Sequence, residues 1–173
     1  TGYAYDIIED QDGNFIVAGY TRYPKGYWQQ NDGYLLKLDS DGNKIWSYWY
    51  AAEELADDVD VDDKFNTLRK TVDGGYIIAG NSNRYGWLLK TDSEGNPEWE
   101  YLHNGGVGNN ELSFNSVEQT SDGGYVITCS RYNLRYGLYD DTWSDSDGLL
   151  IKVDGQGNLQ WERTFGFYAT DTT

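Results

Sequence analysis

Asp73-Gly74-Gly75-Tyr76-Ile77-Ile78-Ala79-Gly80 returns, with small changes, as Asp122-Gly123-Gly124-Tyr125-Val126-Ile127-Thr128-Cys129, and it is anticipated by Asp12-Gly13-Asn14-Phe15-Ile16-Val17-Ala18-Gly19. Each copy is followed by a second element. The first is Gly33-Tyr34-Leu35-Leu36-Lys37-Leu38-Asp39-Ser40-Asp41-Gly42-Asn43-Lys44-Ile45-Trp46. Its counterparts run from Gly86 through Lys90, Asp92, Gly95 and Asn96 to Trp99, and from Gly148 through Lys152, Asp154, Gly157 and Asn158 to Trp161. The tryptophans are 53 and 62 residues apart, so whole units recur while the segments between them vary in length. Self-similarity at this spacing is the signature of a stacked repeat architecture.

Each unit reads as four strands. Strand A covers 5–9, 65–70 and 114–119, and an Asp-Gly turn follows it, where Gly tolerates positive φ. Strand B covers 15–19, 76–80 and 125–129; its near-continuous apolar run suits a strand covered on both faces. Strand C covers 34–38, 87–91 and 149–153. Strand D covers 44–49, 98–102 and 159–165. In its first copy Trp46, Tyr48 and Tyr50 alternate, as in a half-buried strand. No helical window stands out. A four-stranded antiparallel meander at roughly 50-residue intervals predicts an all-β, propeller-type fold of three blades, over 1–53, 54–106 and 107–173. A β-sandwich would account for the strand count but not for the recurrence of whole meanders. Closed propellers have about four to eight blades, so three imply completion by further chain or by a second copy.

The units resemble the DGGYIIAG…WLLKTDSEGNPEW-type repeats found in tandem in secreted and cell-surface β-propeller proteins of archaea and bacteria. They are distantly similar to the quinoprotein-type propeller repeat. The resemblance spans nearly the whole chain and implies a surface location and an interaction role, with no established reaction. Two positions depart from it: Asn14 stands where the repeat has a second Gly, and Cys129 where it has Gly.

Composition narrows the rest. The 173 residues hold 13 Lys+Arg against 29 Asp+Glu, a formal charge of −16. That balance argues against nucleic acid, which needs a basic footprint. One Cys and one His exclude an internal disulfide, a Cys-based zinc cage and a multi-histidine metal site. No apolar run approaches the roughly 18 residues of a membrane-spanning helix. Aromatic residues make up 16% of the chain, which sets it apart from disordered acidic sequences. The chain starts at Thr1, contains no Met and opens with no signal peptide, so it reads as a processed product or an excerpt. High acidity, Tyr and Gly with few Cys suit an extracellular or cell-surface protein.

The A–B and C–D turns are short and uniform, so the other end of the units holds the variable segments. These are the B–C connections (20–32, 81–85, 130–147) and the D–A connections (51–64, 104–112). Loops of varying length on a rigid scaffold are where binding residues gather. The B–C segments carry Arg22-Tyr23, Arg84-Tyr85, Arg131-Tyr132 and Arg135-Tyr136, with Tyr27, Trp28 and Trp143. Flat amphipathic rings and Arg forks suit a sugar ring, an acidic glycan or a surface protein. The same residues also serve to offset the charge and to pack loop on loop.

Asp57, Asp58, Asp60 and Asp62, and Asp140, Asp141 and Asp145, offer the oxygen ligands that Ca²⁺ takes; calcium is the one cofactor they suggest. They serve equally as solvated loop. Asp39-x-Asp41-Gly42 lacks the remaining ligands of a calcium loop and reads as a hairpin turn. His103 reads as a surface or linker residue, and Cys129 as a small core residue. No phosphate loop, dinucleotide fingerprint or metalloprotease motif occurs. The expectation is a non-catalytic module that binds protein or carbohydrate through its long-loop face. The alternatives are a structural subunit of a surface layer or filament, and a glycan-active enzyme.

Overall fold

The computed structural model describes residues 2–25, 28–52, 62–104, 111–136 and 142–165, with side chains for all of these except 23–25, 28–30, 133–136 and 142–146. Every regular element in them is a strand. The first sheet holds β1 (Gly2–Glu9), β2 (Phe15–Lys25), β3 (Trp28–Leu38) and β4 (Lys44–Tyr50). The second holds β5 (Asp63–Lys70), β6 (Tyr76–Ser82), β7 (Tyr85–Thr91) and β8 (Pro97–Asn104). The third holds β9 (Glu111–Gln119), β10 (Tyr125–Tyr136), β11 (Thr142–Val153) and β12 (Leu159–Phe165). Each is an antiparallel meander in chain order, as the repeat predicts.

Turn chemistry sets the ladders. Gly13, Gly42, Gly74, Gly95, Gly123 and Gly157 all sit between +79° and +89° in φ, one at each A–B and C–D turn. At the C–D turns one Asp closes the loop. Asp39 Oδ1 accepts from the amides of Asp41 and Asn43, and its Oδ2 accepts from the Asn43 side chain. Asp92 and Asp154 repeat this with Asn96 and Asn158. The Asp39 carboxylate is thereby spent on the hairpin.

The A–B turns hold a lysine that the repeat carries inside an apolar strand. Lys90 is 2% exposed and its Nζ lies 3.0 Å from Asp73, 2.7 Å from Glu98 and 2.9 Å from the Thr91 carbonyl. Lys152 meets Asp122 at 3.1 Å and the Val153 carbonyl at 3.0 Å. The second Gly of these turns gives that ammonium room: a Cβ on Gly75 would lie 2.8 Å from Lys90 Nζ, and one on Gly124 would crowd Lys152 Nζ more closely still. In the first sheet Lys37 instead meets Asp10, at 3.0 Å, and the Asn14 side chain donates to the same Asp. The departure at Asn14 thus accompanies a change of the lysine's carboxylate partner on an unchanged backbone turn.

The second sheet lies between the other two. β5 contacts β1, β2 and β3 on one side and β9 on the other; β9 also contacts β6, β7 and β8. Alternation along β6 serves both interfaces. Tyr76 and Ile78 join Ile16, Ala18, Leu35, Phe65 and Trp87 in one core, while Ile77 and Ala79 join Phe114, Tyr125, Ile127 and Ile151 in the other. Double cover explains why strand B reads as continuously apolar.

Polar clips cross both interfaces. Asp6 Oδ2 accepts from the Thr67 hydroxyl, the Leu68 amide and Arg69 Nη1 at 2.9–3.0 Å. Asn66 occupies a bulge in β5, which frees its side chain to donate to Ser113 Oγ (3.1 Å) and the Phe114 carbonyl (2.9 Å). Asn66→Ala leaves two acceptors unpaired at the interface, and a loss of about 1–2 kcal/mol in denaturant unfolding is expected.

The structure changes two of the sequence expectations. His103 is neither a surface nor a linker residue: it lies half-buried one residue before the end of β8, its Nδ1 2.7 Å from the Tyr101 hydroxyl and its Nε2 3.0 Å from Glu162 of the third sheet. Burial holds it below the usual histidine range against the pull of Glu162. Secondly, the B–C segments of the first and third sheets are largely strand rather than loop. Cys129 is buried, as expected, and burial raises its thiol pKa to about 12.

Candidate functional site

Strands B and C run on far beyond the body in two of the three sheets. β2 and β3 pair in unbroken register from Phe15↔Leu38 to Lys25↔Trp28, and β10 and β11 from Tyr125↔Val153 to Tyr136↔Thr142. The connections expected as loops are therefore mostly hairpin arms. Pro24 lies in one of them, opposite Gln29 and beyond the last described β1–β2 pair, Gly2↔Thr21. The middle sheet does the opposite. Its pair ends at Ser82↔Tyr85, with the two-residue turn Asn83-Arg84, and Asn83 takes a φ of +49°, which Asn tolerates.

This short turn is stitched to both sides. The Asn83 amide donates to the Asp62 carbonyl (2.9 Å), the Asp62 amide donates to the Asn83 side chain (3.0 Å), and the Leu112 amide donates to the Arg84 carbonyl (2.9 Å). The result is a fixed floor at the end from which the two arms project. A depression of about 570 Å³ lies there, lined by Asp62, Lys64, Asn81, Asn83, Arg84, Tyr85 and Glu111. Its lining combines two acids, two bases, two amides and a phenol, so hydrogen-bond donors and acceptors are both present. Lys64 Nζ lies 5.5 Å over the Tyr20 ring and 3.9 Å from Asp62.

The residues that the sequence singles out fall in several places. Arg84 and Tyr85 line the depression. Arg22 is exposed on β2 opposite Asn31, and Tyr23 lies opposite Gln30. Arg131 is engaged by Asp147 at 2.9 Å, and Tyr132 beside it is exposed. In β10–β11, Arg135 pairs with Trp143, Tyr136 with Thr142 and Asn133 with Asp145; Trp28 starts β3. Counted from strand B, Arg22 and Tyr132 share a register position while Arg131 is one step earlier, on the opposite face. The Arg-Tyr pairs therefore do not stand in threefold register.

Tyr27, Asp57, Asp58, Asp60, Asp140 and Asp141 lie outside the described residues, as does the side chain of Asp145. Asp62 is taken up by Asn31, whose Nδ2 donates to it at 2.8 Å. Among the described residues no three acidic, His or Cys side chains gather into a metal site, and no helix is long and apolar enough to cross a membrane.

Lys64, Asn81, Asn83 and Glu111 were not singled out by the sequence. Asn83 is the most legible of them, because Asn in the tight turn of an otherwise apolar hairpin signals positive φ. Behind this floor Asp63 points into the core, 1% exposed, with its Oδ1 lacking a hydrogen-bond partner among the described residues. Burial raises its pKa to about 7, the nearby Ser82 hydroxyl and the Ala52 amide offset only part of this, and the charges of Asp32 and Glu100 add a little to the rise. No family model matches the chain.

Proposed function

We propose that the chain is a non-catalytic, extracellular interaction module of propeller type, which binds carbohydrate or protein at the end that carries the hairpin arms. Two features support the propeller arrangement. The first strands of successive sheets contact each other, β1 with β5 and β5 with β9, as innermost strands around an axis do. Each sheet is also a complete meander that needs neighbours to cover it. The resemblance of the repeats to those of surface propellers adds the location.

One observation carries the binding role: a polar depression lined by Tyr85 among charged and amide side chains, at the end that carries two hairpins with aromatic residues in their sequence. Neighbouring donors and acceptors match sugar hydroxyls, which do both, and a flat ring supplies a face for the sugar's C–H groups. A catalytic reading finds less. The one Cys is buried with a raised pKa, and the one His is held by Tyr101 and Glu162. An array of glycans and surface-protein fragments tests the proposal. Tyr85→Ala and Lys64→Ala are expected to weaken the retained ligand about tenfold or more, equivalent to roughly 1.4 kcal/mol. Val72→Ala, at the opposite end and 91% exposed, is expected to leave affinity unchanged. Retention of no ligand, or equal loss in all three variants, would sink the assignment.

A further inference from the structure

The two internal interfaces are built to one pattern. Trp46, Trp99 and Trp161 occupy one register position, each opposite the buried lysine: Lys37↔Trp46, Lys90↔Trp99 and Lys152↔Trp161. Trp46 covers the C–D turn of the second sheet, where a Cβ on Gly95 would lie 3.2 Å from the indole. Tyr50 reaches the same turn, its hydroxyl donating to the Gly95 carbonyl at 2.7 Å. Trp99 covers the C–D turn of the third sheet, where a Cβ on Gly157 would lie 2.8 Å from the ring. The pattern leaves one half unmatched at each end. Trp161 is 38% exposed. Gly42, with a φ of +83° like its counterparts, has nothing within 4 Å of its Cβ position.

Other positions agree. Tyr76, Ile78 and Leu89 of the second sheet are buried under the first, and their equivalents Tyr125, Ile127 and Ile151 are buried under the second. The same positions of the first sheet, Phe15, Val17 and Leu36, are only half-covered. Gly33 and Gly86 each receive an aromatic ring from the following sheet, Phe65 at 2.8 Å from the first Cβ position and Phe114 closer still to the second. Gly148, the third of the set, meets only the Phe165 carbonyl, at 3.5 Å. One position differs: Ala4 stands opposite Gly19 where Phe65 stands opposite Gly80. The ring at that contact is then Phe165, which pairs with Gly148 and is 59% exposed.

We propose that a second copy of this chain docks head to tail on these faces, Trp161 of each copy covering the Gly42 turn of the other. Two such contacts related by a twofold axis close a ring of six sheets, within the range of stable propellers. The occupant is a second copy because each uncovered face carries the same half-pattern that the chain's own sheets complete. Register and burial alone lead to this dimer, independently of any ligand at the arm-bearing end.

Light scattering with sedimentation velocity on the 173-residue chain tests it. The expected mass is twice 19.7 kDa. Trp161→Glu and Val17→Glu each place a charge on one face that the monomer leaves open. Each variant alone is expected to weaken dimerisation at least 100-fold, with unchanged circular dichroism. An equimolar mixture of the two retains one intact tail and one intact head, so it is expected to recover a dimer with a single contact. A monomeric parent chain, an open polymer, dimerisation that survives Trp161→Glu, or a mixture that stays monomeric would each overturn the proposal. Ligand retention by the Tyr85 variant is measured separately, so either idea can fail alone.

Discussion

Trp87→Ala is expected to lower the melting temperature by about 10 °C, a large effect for a single truncation. Trp87 lies on β7 of the middle sheet and is 1% exposed. Its ring stacks on Phe65 at 4.8 Å, and its Nε1 donates to Glu100 at 2.9 Å. Truncating a buried Trp costs about 3–5 kcal/mol, because the emptied volume collapses only in part. For a chain of this length each kcal/mol moves the midpoint by roughly 2–4 °C. The cost is at the upper end because Phe65 would lose the ring that holds it against Gly33 of the first sheet. Val72→Ala is the contrast: Val72 is 91% exposed in the A–B turn of the same sheet, and a shift under about 2 °C is expected. Thermal unfolding followed by circular dichroism decides between them. Equal shifts for the two would mean that the middle sheet is not packed between its neighbours.

Asp63→Asn is expected to stabilise the protein by about 4 kcal/mol at pH 8 and to change little at pH 3. The folded carboxyl titrates near 7, against an ordinary value near 3.8. At pH 3 and below, both folded and unfolded chains carry the proton and Asp63 contributes almost no penalty. As pH rises, the unfolded chain releases the proton first, and stability falls until the folded group also ionises near 7. An amide carries no charge to bury, so its variant lacks this decline. The turn carboxylates act in the opposite direction. Asp10 and Asp73 are held down to about 2: despite their burial, the amides of Asn14 and Gly75, the Thr71 hydroxyl, Lys37 and Lys90 favour the charged forms. Their contribution is present above about pH 4 and is lost as pH falls towards 2. Together these groups place the stability maximum near pH 4–5. Denaturant unfolding between pH 3 and 9, with and without Asp63→Asn, reads both slopes; parallel curves would show that Asp63 is not the buried acid.

Most of the architecture was legible because it is written three times. A single Tyr-Ile-Ile-Ala-Gly run is ambiguous between strand and buried helix. Three copies at matched distances from Asp-Gly and from Gly-Asn-x-x-Trp are not, and the observed ladders place all three tryptophans opposite the same lysine. That lysine was present in each copy but its task was hidden, since its partner lies in a turn some fifteen to thirty residues earlier. The end with the candidate site was harder to read. Thr21, Arg22, Tyr23 and Pro24 look like loop, and only the opposing strand, absent from local sequence, makes them an arm. Asp63 closes an acidic run and reads as solvated. It enters the core because it begins β5, two residues before buried Phe65 on the same strand.

The named strands of this molecule pair only within single meanders, and apart from the Leu112–Arg84 main-chain bond and the Asn31–Asp62 bridge, what joins one described meander to the next is side-chain contact on a shared template. Each meander is therefore a cassette. Duplicating or deleting one breaks no strand ladder, and the gene can lengthen or shorten in whole steps while the joints at either side remain interchangeable.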